Sequence, residues 1–237
     1  MFIVFDDDRP SDSPYVERVW RCHSEGSGPF LSVASSHWEM VVSRLDGRTT
    51  LTLRGPDTKV RDVYCPPDGE WFAIRFKSGT FMPALPTGRM LNGRDVTLPE
   101  VSRRSFRFDG SAWEYPDYDN AETFVARLAR AGVIARDAAV EAALGGDARA
   151  LSLRSVQRHF LHATGITWST FRQIERARHA TNLLRRGVPI IDTVHEAGYF
   201  DQAHLTRSLR RLIGLTPAKI AREEKQLSFL YNTTTPP

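Results

Sequence analysis

Apolar and polar residues tend to alternate along the first half of the chain. Along the second half, apolar residues recur every three or four positions. The alternation is partial but repeated over Tyr15–Cys22, Glu39–Leu45 and Thr49–Arg54, and Trp71–Phe76 reads as a further strand. Asp46-Gly47 separates two of these runs and is a strong hairpin signal. Gly55-Pro56, Pro66-Pro67-Asp68-Gly69 and Ser78-Gly79 punctuate the rest. Short strands at close spacing from Tyr15 to about Phe108 predict a small barrel or sandwich. The polar run D-D-D-R-P-S-D-S-P within residues 1–14 predicts a fraying end.

Near Asp119 the texture becomes helical. Residues 120–131 predict an amphipathic helix with Phe124, Leu128 and Ala131 on one side, stopped by Gly132. Residues 137–144 predict an alanine-rich helix ended by Gly145-Gly146, followed by a loop to Leu151. From Ser152 to about Leu230 nearly everything reads as helix, with Thr233–Pro237 as a tail. Within this region the stretch Ile190–Arg211 organises the rest. It predicts two short helices joined by a tight turn. Ile190, Ile191, Val194 and Ala197 share a face of the first, Gly198 ends it, and Asp201 caps the second. The second helix would bury Leu205, Leu209 and Leu212 and turn a basic, hydrogen-bonding face outward. That combination is the helix-turn-helix solution for entering a DNA major groove.

This second helix has an earlier counterpart. Ser152–Gly165 and Asp201–Gly214 each start with a good N-cap and place an aliphatic residue at the fifth position and arginine at the seventh. Each then has a bulky apolar residue at the ninth position and glycine at the fourteenth. Between the copies runs a helix over Phe171–Arg186, with Ile174, Ala177, Leu183 and Leu184 for burial and arginines outside. Two such helices on one long spacer predict entry into successive major grooves, roughly 34 Å apart.

Charge supports a division of labour. Of 237 residues carrying a net charge of +4, residues 1–118 hold 15 Lys+Arg against 17 Asp+Glu, whereas residues 149–222 hold 13 against 4. A near-neutral front and a strongly basic back predict two domains, the back one meeting a polyanion. The two cysteines fit no zinc or CxxC pattern, no run is apolar enough to span a bilayer, and Met1–Pro10 is too acidic for a signal peptide. A reduced, cytoplasmic protein with no membrane partner is expected.

Residues 152–222 resemble the DNA-binding domain of the AraC/XylS family of bacterial transcription regulators. G-Y-F-D-Q-A-H-L-T-R-S-L-R-R-L-I-G-L-T-P at 198–217 is similar to that family's signature around its second helix-turn-helix, and V-Q-R-H-F-L-H-A-T-G at 156–165 resembles the end of its first. One departure is the stretch Gly145–Leu151 before the first recognition helix, which is longer than usual for the family. The resemblance implies double-stranded DNA as partner. It implies DNA contacts by Arg154, Gln157 and Arg158 on the first recognition helix and by Gln202, His204, Thr206 and Arg207 on the second. Arg172, Arg176, Arg178, Arg210 and Arg211 are candidates for phosphate contacts, which position without specifying.

The implied fold class is α+β: a small N-terminal β-barrel or cupin-like domain (residues 1–118), a helical linker (119–147) and an all-α domain with two helix-turn-helix units (148–230). Front domains in this family commonly bind an effector or dimerise. R-G-P at 54–56 ahead of W-F-A-I-R-F at 71–76 looks like a sensor domain of some of these regulators. Trp38, Tyr64, Trp71 and Arg75 are the candidate lining of an effector pocket, the aromatics stacking and the arginine holding an anion. The competing reading is a small cupin-type metalloenzyme with a basic appendage. His23, Glu25, His37 and Glu39 are the front-domain cluster with ligand chemistry, but His37-Trp38-Glu39 offers one histidine where such enzymes usually offer two. With no Gly-x-Ser-x-Gly, P-loop or His-Glu-x-x-His motif and no electropositive cysteine motif, neither enzyme activity nor a metal or cofactor is expected. An adaptor that kept the helices but lost DNA contact is a third reading.

Overall fold

A computed structural model describes residues 2–146 and 152–222. The expected loop over 147–151, the helical continuation beyond Arg222 and the tail at 233–237 lie outside the described residues. In chain order the front half runs β1 (Ile3–Pro10), β2 (Val16–Ser24), β3 (Gly28–Ser32), β4 (Glu39–Leu45), β5 (Arg48–Arg54), β6 (Arg61–Cys65), β7 (Glu70–Phe76) and β8 (Thr80–Phe81). A kinked 3-10 segment, Thr87–Gly93, leads to β9 (Val96–Thr97), β10 (Glu100–Ser102), β11 (Ser105–Phe108) and β12 (Ser111–Glu114). Then come α1 (Ala121–Arg130), β13 (Ala135–Arg136), α2 (Ala138–Leu144), α3 (Leu153–Thr164), α4 (Trp168–Arg185), α5 (Ile190–Glu196), α6 (Gln202–Leu212) and α7 (Pro217–Arg222).

The alternating runs become a six-stranded antiparallel sheet in the order β1-β2-β7-β4-β5-β9. Asp46 and Gly47 both have positive φ, 50° and 73°, and close the β4–β5 hairpin where Leu45 pairs with Arg48. Side chains alternate across the sheet as the pleat requires. Val19, Met40, Val42, Leu51, Leu53 and Ile74 face a core shared with β11 and α1 through Phe106, Phe124 and Leu128. Trp20, Cys22, Val41 and Ala73 face the other way, toward a separate β3–β6 ribbon that contributes Cys65 and Phe30.

Two expectations are corrected here. The large sheet does not close on itself: β1 and β9 are its edges, and no closed barrel is found among the described residues. The polar N-terminus is ordered as β1, because each acid meets a base across the strand pair. Asp8 accepts from Arg18 at 2.6 Å, Asp7 lies 3.6 Å from Arg21, and Asp6 lies 2.8 Å from His23. Residues 121–134 are also more than a linker. Phe124, Val125, Leu128, Val133 and Ile134 are buried in the front core, and β13 returns to pair with β8.

The helices α3 to α7 share a second core built on Phe160, Ile174, Leu184, Val194, Leu205, Leu209 and Ile220. Val33 and Ala34 of the front half and Val140 of α2 belong to that same core. The α5 face differs from expectation in one place: Ile191 is exposed, and Tyr199 is buried beyond the turn.

Candidate nucleic-acid interface

Both repeated helices are built as their sequences require. Ser152 Oγ accepts the Ser155 N–H at 3.1 Å and Asp201 Oδ1 accepts the His204 N–H at 2.6 Å, so each N-terminus is capped. Gly165 ends α3 in the left-handed conformation, φ 75°, and Gly214 follows α6 with φ 87°. The aliphatic fifth and bulky ninth positions are buried in both copies: Val156 and Phe160 in α3, Leu205 and Leu209 in α6.

The outward faces follow from that burial. Arg154, Gln157 and Arg158 on α3, and Gln202 and Arg207 on α6, are exposed. His204 and Thr206 are half-buried. The His204 ring meets Tyr199 edge-on at 5.1 Å, and the Thr206 hydroxyl donates back to the Gln202 carbonyl at 2.8 Å. Arg172, Arg210 and Arg211 are exposed. Arg176 and Arg178, the other two phosphate candidates, are half-buried and make contacts within the protein. Arg176 lies over the Tyr199 ring at 4.7 Å and donates to the Gly198 carbonyl at 3.2 Å, bracing the α5–α6 turn. Arg178 lies 3.5 Å from Glu175, with a side chain only 15% exposed.

In the first unit α2 packs on α3. The Asp137 carboxylate caps α2 through its own Oδ1, accepting from Ala139 at 2.9 Å, and pairs through Oδ2 with His159 of α3 at 2.9 Å. α2 is thus tied to the first recognition helix despite the long connection after it.

Sequence patterning gave no sign of how the front half grips these helices. The last carbonyls of a helix have no partner within it and need one from elsewhere. For α6 the front half supplies it: Ala34 N–H donates to Leu212 C=O at 2.7 Å and Val60 N–H to Arg211 C=O at 3.1 Å. For α3, Thr87 Oγ1 donates to Ala163 C=O at 3.1 Å. Ser36 Oγ donates to Glu175 on α4 at 2.5 Å. Behind Ser36 lies a polar cluster in which His37 sits between Ser36, Ser78 and Glu17, the last at 3.3 Å. Burial pushes the Glu17 carboxyl up, but His37, Arg75, Arg178 and Arg18 together outweigh it and hold it below its usual range.

The expected effector lining does not come together in one place. Tyr64 and Trp71 border a cleft of about 540 Å³ between the β3–β6 ribbon and the large sheet, with Trp20, Phe30 and Val41 at its floor and Arg48 at its rim. Trp38 and Arg75 are not there. Trp38 stacks on Phe76 at 3.7 Å and donates its indole N–H to the Thr80 carbonyl at 2.7 Å. Arg75 is fully buried against Glu39 at 2.7 Å. The residues with metal-ligand chemistry are likewise spoken for: His23 by Asp6, His37 by Glu17 and Glu39 by Arg75. Burial pushes the Cys22 thiol up, so it stays protonated.

No curated protein and no solved structure matches the chain. Residues 147–223 match a family model described as a helix-turn-helix domain. They span α3 to α7, where the paired capped helices lie, and they are an AraC-type helix-turn-helix domain, the mark of the AraC/XylS family of DNA-binding transcription regulators.

Proposed function

We propose that the protein binds a specific operator through α3 and α6 and that the front domain governs this binding in response to an effector or to dimerisation. The observation that carries the reading is the pairing of two capped basic helices whose exposed faces bear Arg154, Gln157, Arg158, Gln202 and Arg207. Arginine reads guanine bidentately and glutamine reads adenine. Arg172, Arg210 and Arg211 flank these faces and are assigned to phosphates. His204 and Thr206 stay within the interface at its edge, one ring against Tyr199 and one hydroxyl on its own helix.

Front-domain control is supported by the hydrogen bonds from Ala34, Val60 and Thr87 to the ends of both recognition helices. The cleft beside Tyr64 and Trp71 is the proposed effector site, since the ribbon that forms its wall runs on to the loops holding α6. An effector acts only if it favours one arrangement of these contacts over another.

Selection from random duplex DNA by the full chain, followed by footprinting upstream of its own gene, tests the reading. Enrichment of a bipartite site protected over two adjacent major grooves is expected. Failure to enrich any sequence, or affinity independent of salt, would defeat it.

A further inference from the structure

The N-terminal end of the second recognition helix turns two apolar residues toward solvent beside Gln202. Phe200, immediately ahead of the Asp201 cap, is 90% exposed. Ala203 is exposed three residues on. Ala203 lies on the first turn of α6, and Phe200 lies ahead of it, just before the extended Asp201 cap. The pair is held in place. Asp201 caps the helix below Phe200, and Tyr199 beside it is buried, hydrogen-bonded to Ser208 at 3.0 Å and covered by Arg176.

A single exposed phenylalanine means little on a protein surface. Two apolar residues at the N-terminal end of a helix that presents Gln202 and Arg207 to base edges have a chemical complement in DNA. The thymine C5-methyl is the one apolar group on the floor of the major groove, and alanine, threonine methyl and phenylalanine are the side chains that pack on it. N-terminal residues of a recognition helix are those that reach the bases.

We propose that Phe200 and Ala203 read thymine methyl groups in the half-site of α6, with Phe200 as the principal contact. This rests on the operator-binding reading and adds a base identity to it: the α6 half-site contains at least one thymine recognised through its methyl rather than its hydrogen-bonding edge.

The test uses the full chain and an operator selected by it from random DNA. Each thymine of the α6 half-site is replaced singly by deoxyuridine, which removes the methyl and nothing else. At one position or more, wild-type affinity should fall about fourfold, the equivalent of one buried methyl at about 0.8 kcal/mol. Phe200→Ala should bind the thymine operator more weakly and lose most of the thymine-to-uracil difference at that position. Uracil tolerated at every position by the wild-type chain overturns the proposal, whether or not the variant folds. So does a Phe200→Ala variant that retains the full difference. Failure of the wild-type chain to select any operator is a separate result and strikes the operator-binding reading itself.

Discussion

Gly165→Ala should be disproportionately harmful, because Gly165 ends the first recognition helix where the front domain touches it. Gly165 has φ 75°, and a Cβ there would lie 2.6 Å from the Gly88 nitrogen, 2.7 Å from the Gly88 Cα and 2.9 Å from the Thr87 carbonyl carbon. All three are backbone atoms of the 3-10 segment, so no side-chain rotation relieves the overlap. The left-handed conformation costs about 1–2 kcal/mol for an L-residue, and forced displacement of packed groups costs about 1–3 kcal/mol more, together about 2–5 kcal/mol. Gly198 is the internal control. It ends α5 with φ 66°, yet a Cβ there would meet nothing within 4 Å, so Gly198→Ala carries the backbone cost alone.

Urea unfolding of both variants, monitored by far-ultraviolet circular dichroism, separates the two costs. Gly165→Ala should lose about 1–3 kcal/mol more than Gly198→Ala, the packing share of the sum. The displaced contact includes the Thr87 hydrogen bond to Ala163, so operator affinity should fall as well. Equal destabilisation of the two variants would mean that the front domain and α3 are not pressed together at this point, and the coupling route would lose its first contact.

Other outcomes follow from the same geometry. Arg207→Ala should weaken specific binding by about 1–3 kcal/mol and relax one operator position, whereas equal loss on every sequence would make it a phosphate contact. Arg210→Ala should weaken binding uniformly and reduce the slope of log affinity against log salt by about 1, and Arg178→Ala should leave that slope unchanged. Glu122 is held down to about 2, first by its hydrogen bond from Arg9, against a usual 4.5. Its contribution is therefore present above pH 4.5 and lost as pH falls through the folded value. Glu122→Gln should be less stable than wild type at neutral pH, with a gap that narrows below pH 4.5; a gap that stays constant on acidification contradicts the pairing.

The helical half was legible because its signals are local. Capping residues, glycines after the last turn and apolar residues at three-to-four spacing all act within a dozen positions, and Ser152, Asp201, Gly165 and Leu205 stand where those rules put them. The hairpin at Asp46-Gly47 was legible for the same reason. What escaped depends on distant pairing. Residues 6–8 look like a solvated acidic run until Arg18, Arg21 and His23 are brought opposite them across β1 and β2. Trp71 and Arg75 share one face of β7, and only the pairing of Glu39 opposite Arg75 and the packing of Trp38 on Phe76 take those two away from the cleft. Arg176 and Arg178 look like solvated helix arginines, and only the packing of Tyr199 and of Glu175 against them gives them another task.

The contacts between the halves bear on how regulation could work. A domain that merely hung from the DNA-binding helices by a linker would have no means of changing their spacing. Here donors from three separate front-half segments, around Ala34, Val60 and Thr87, fill acceptors at the C-terminal ends of α3 and α6. Those acceptors would otherwise have to be satisfied by water. Each such bond is worth only about 0.5–1.5 kcal/mol net, so the set can be exchanged for solvent without unfolding either half. Ala34 follows β3, and Val60 precedes β6; the two strands pair through Phe30↔Val63 and Leu31↔Asp62. A shift of that ribbon, whose far end walls the cleft beside Tyr64, would move both donors to α6 together while leaving the Thr87 contact to α3 in place. The two recognition helices would then change position relative to each other, and it is their relative position that an operator of fixed half-site spacing detects.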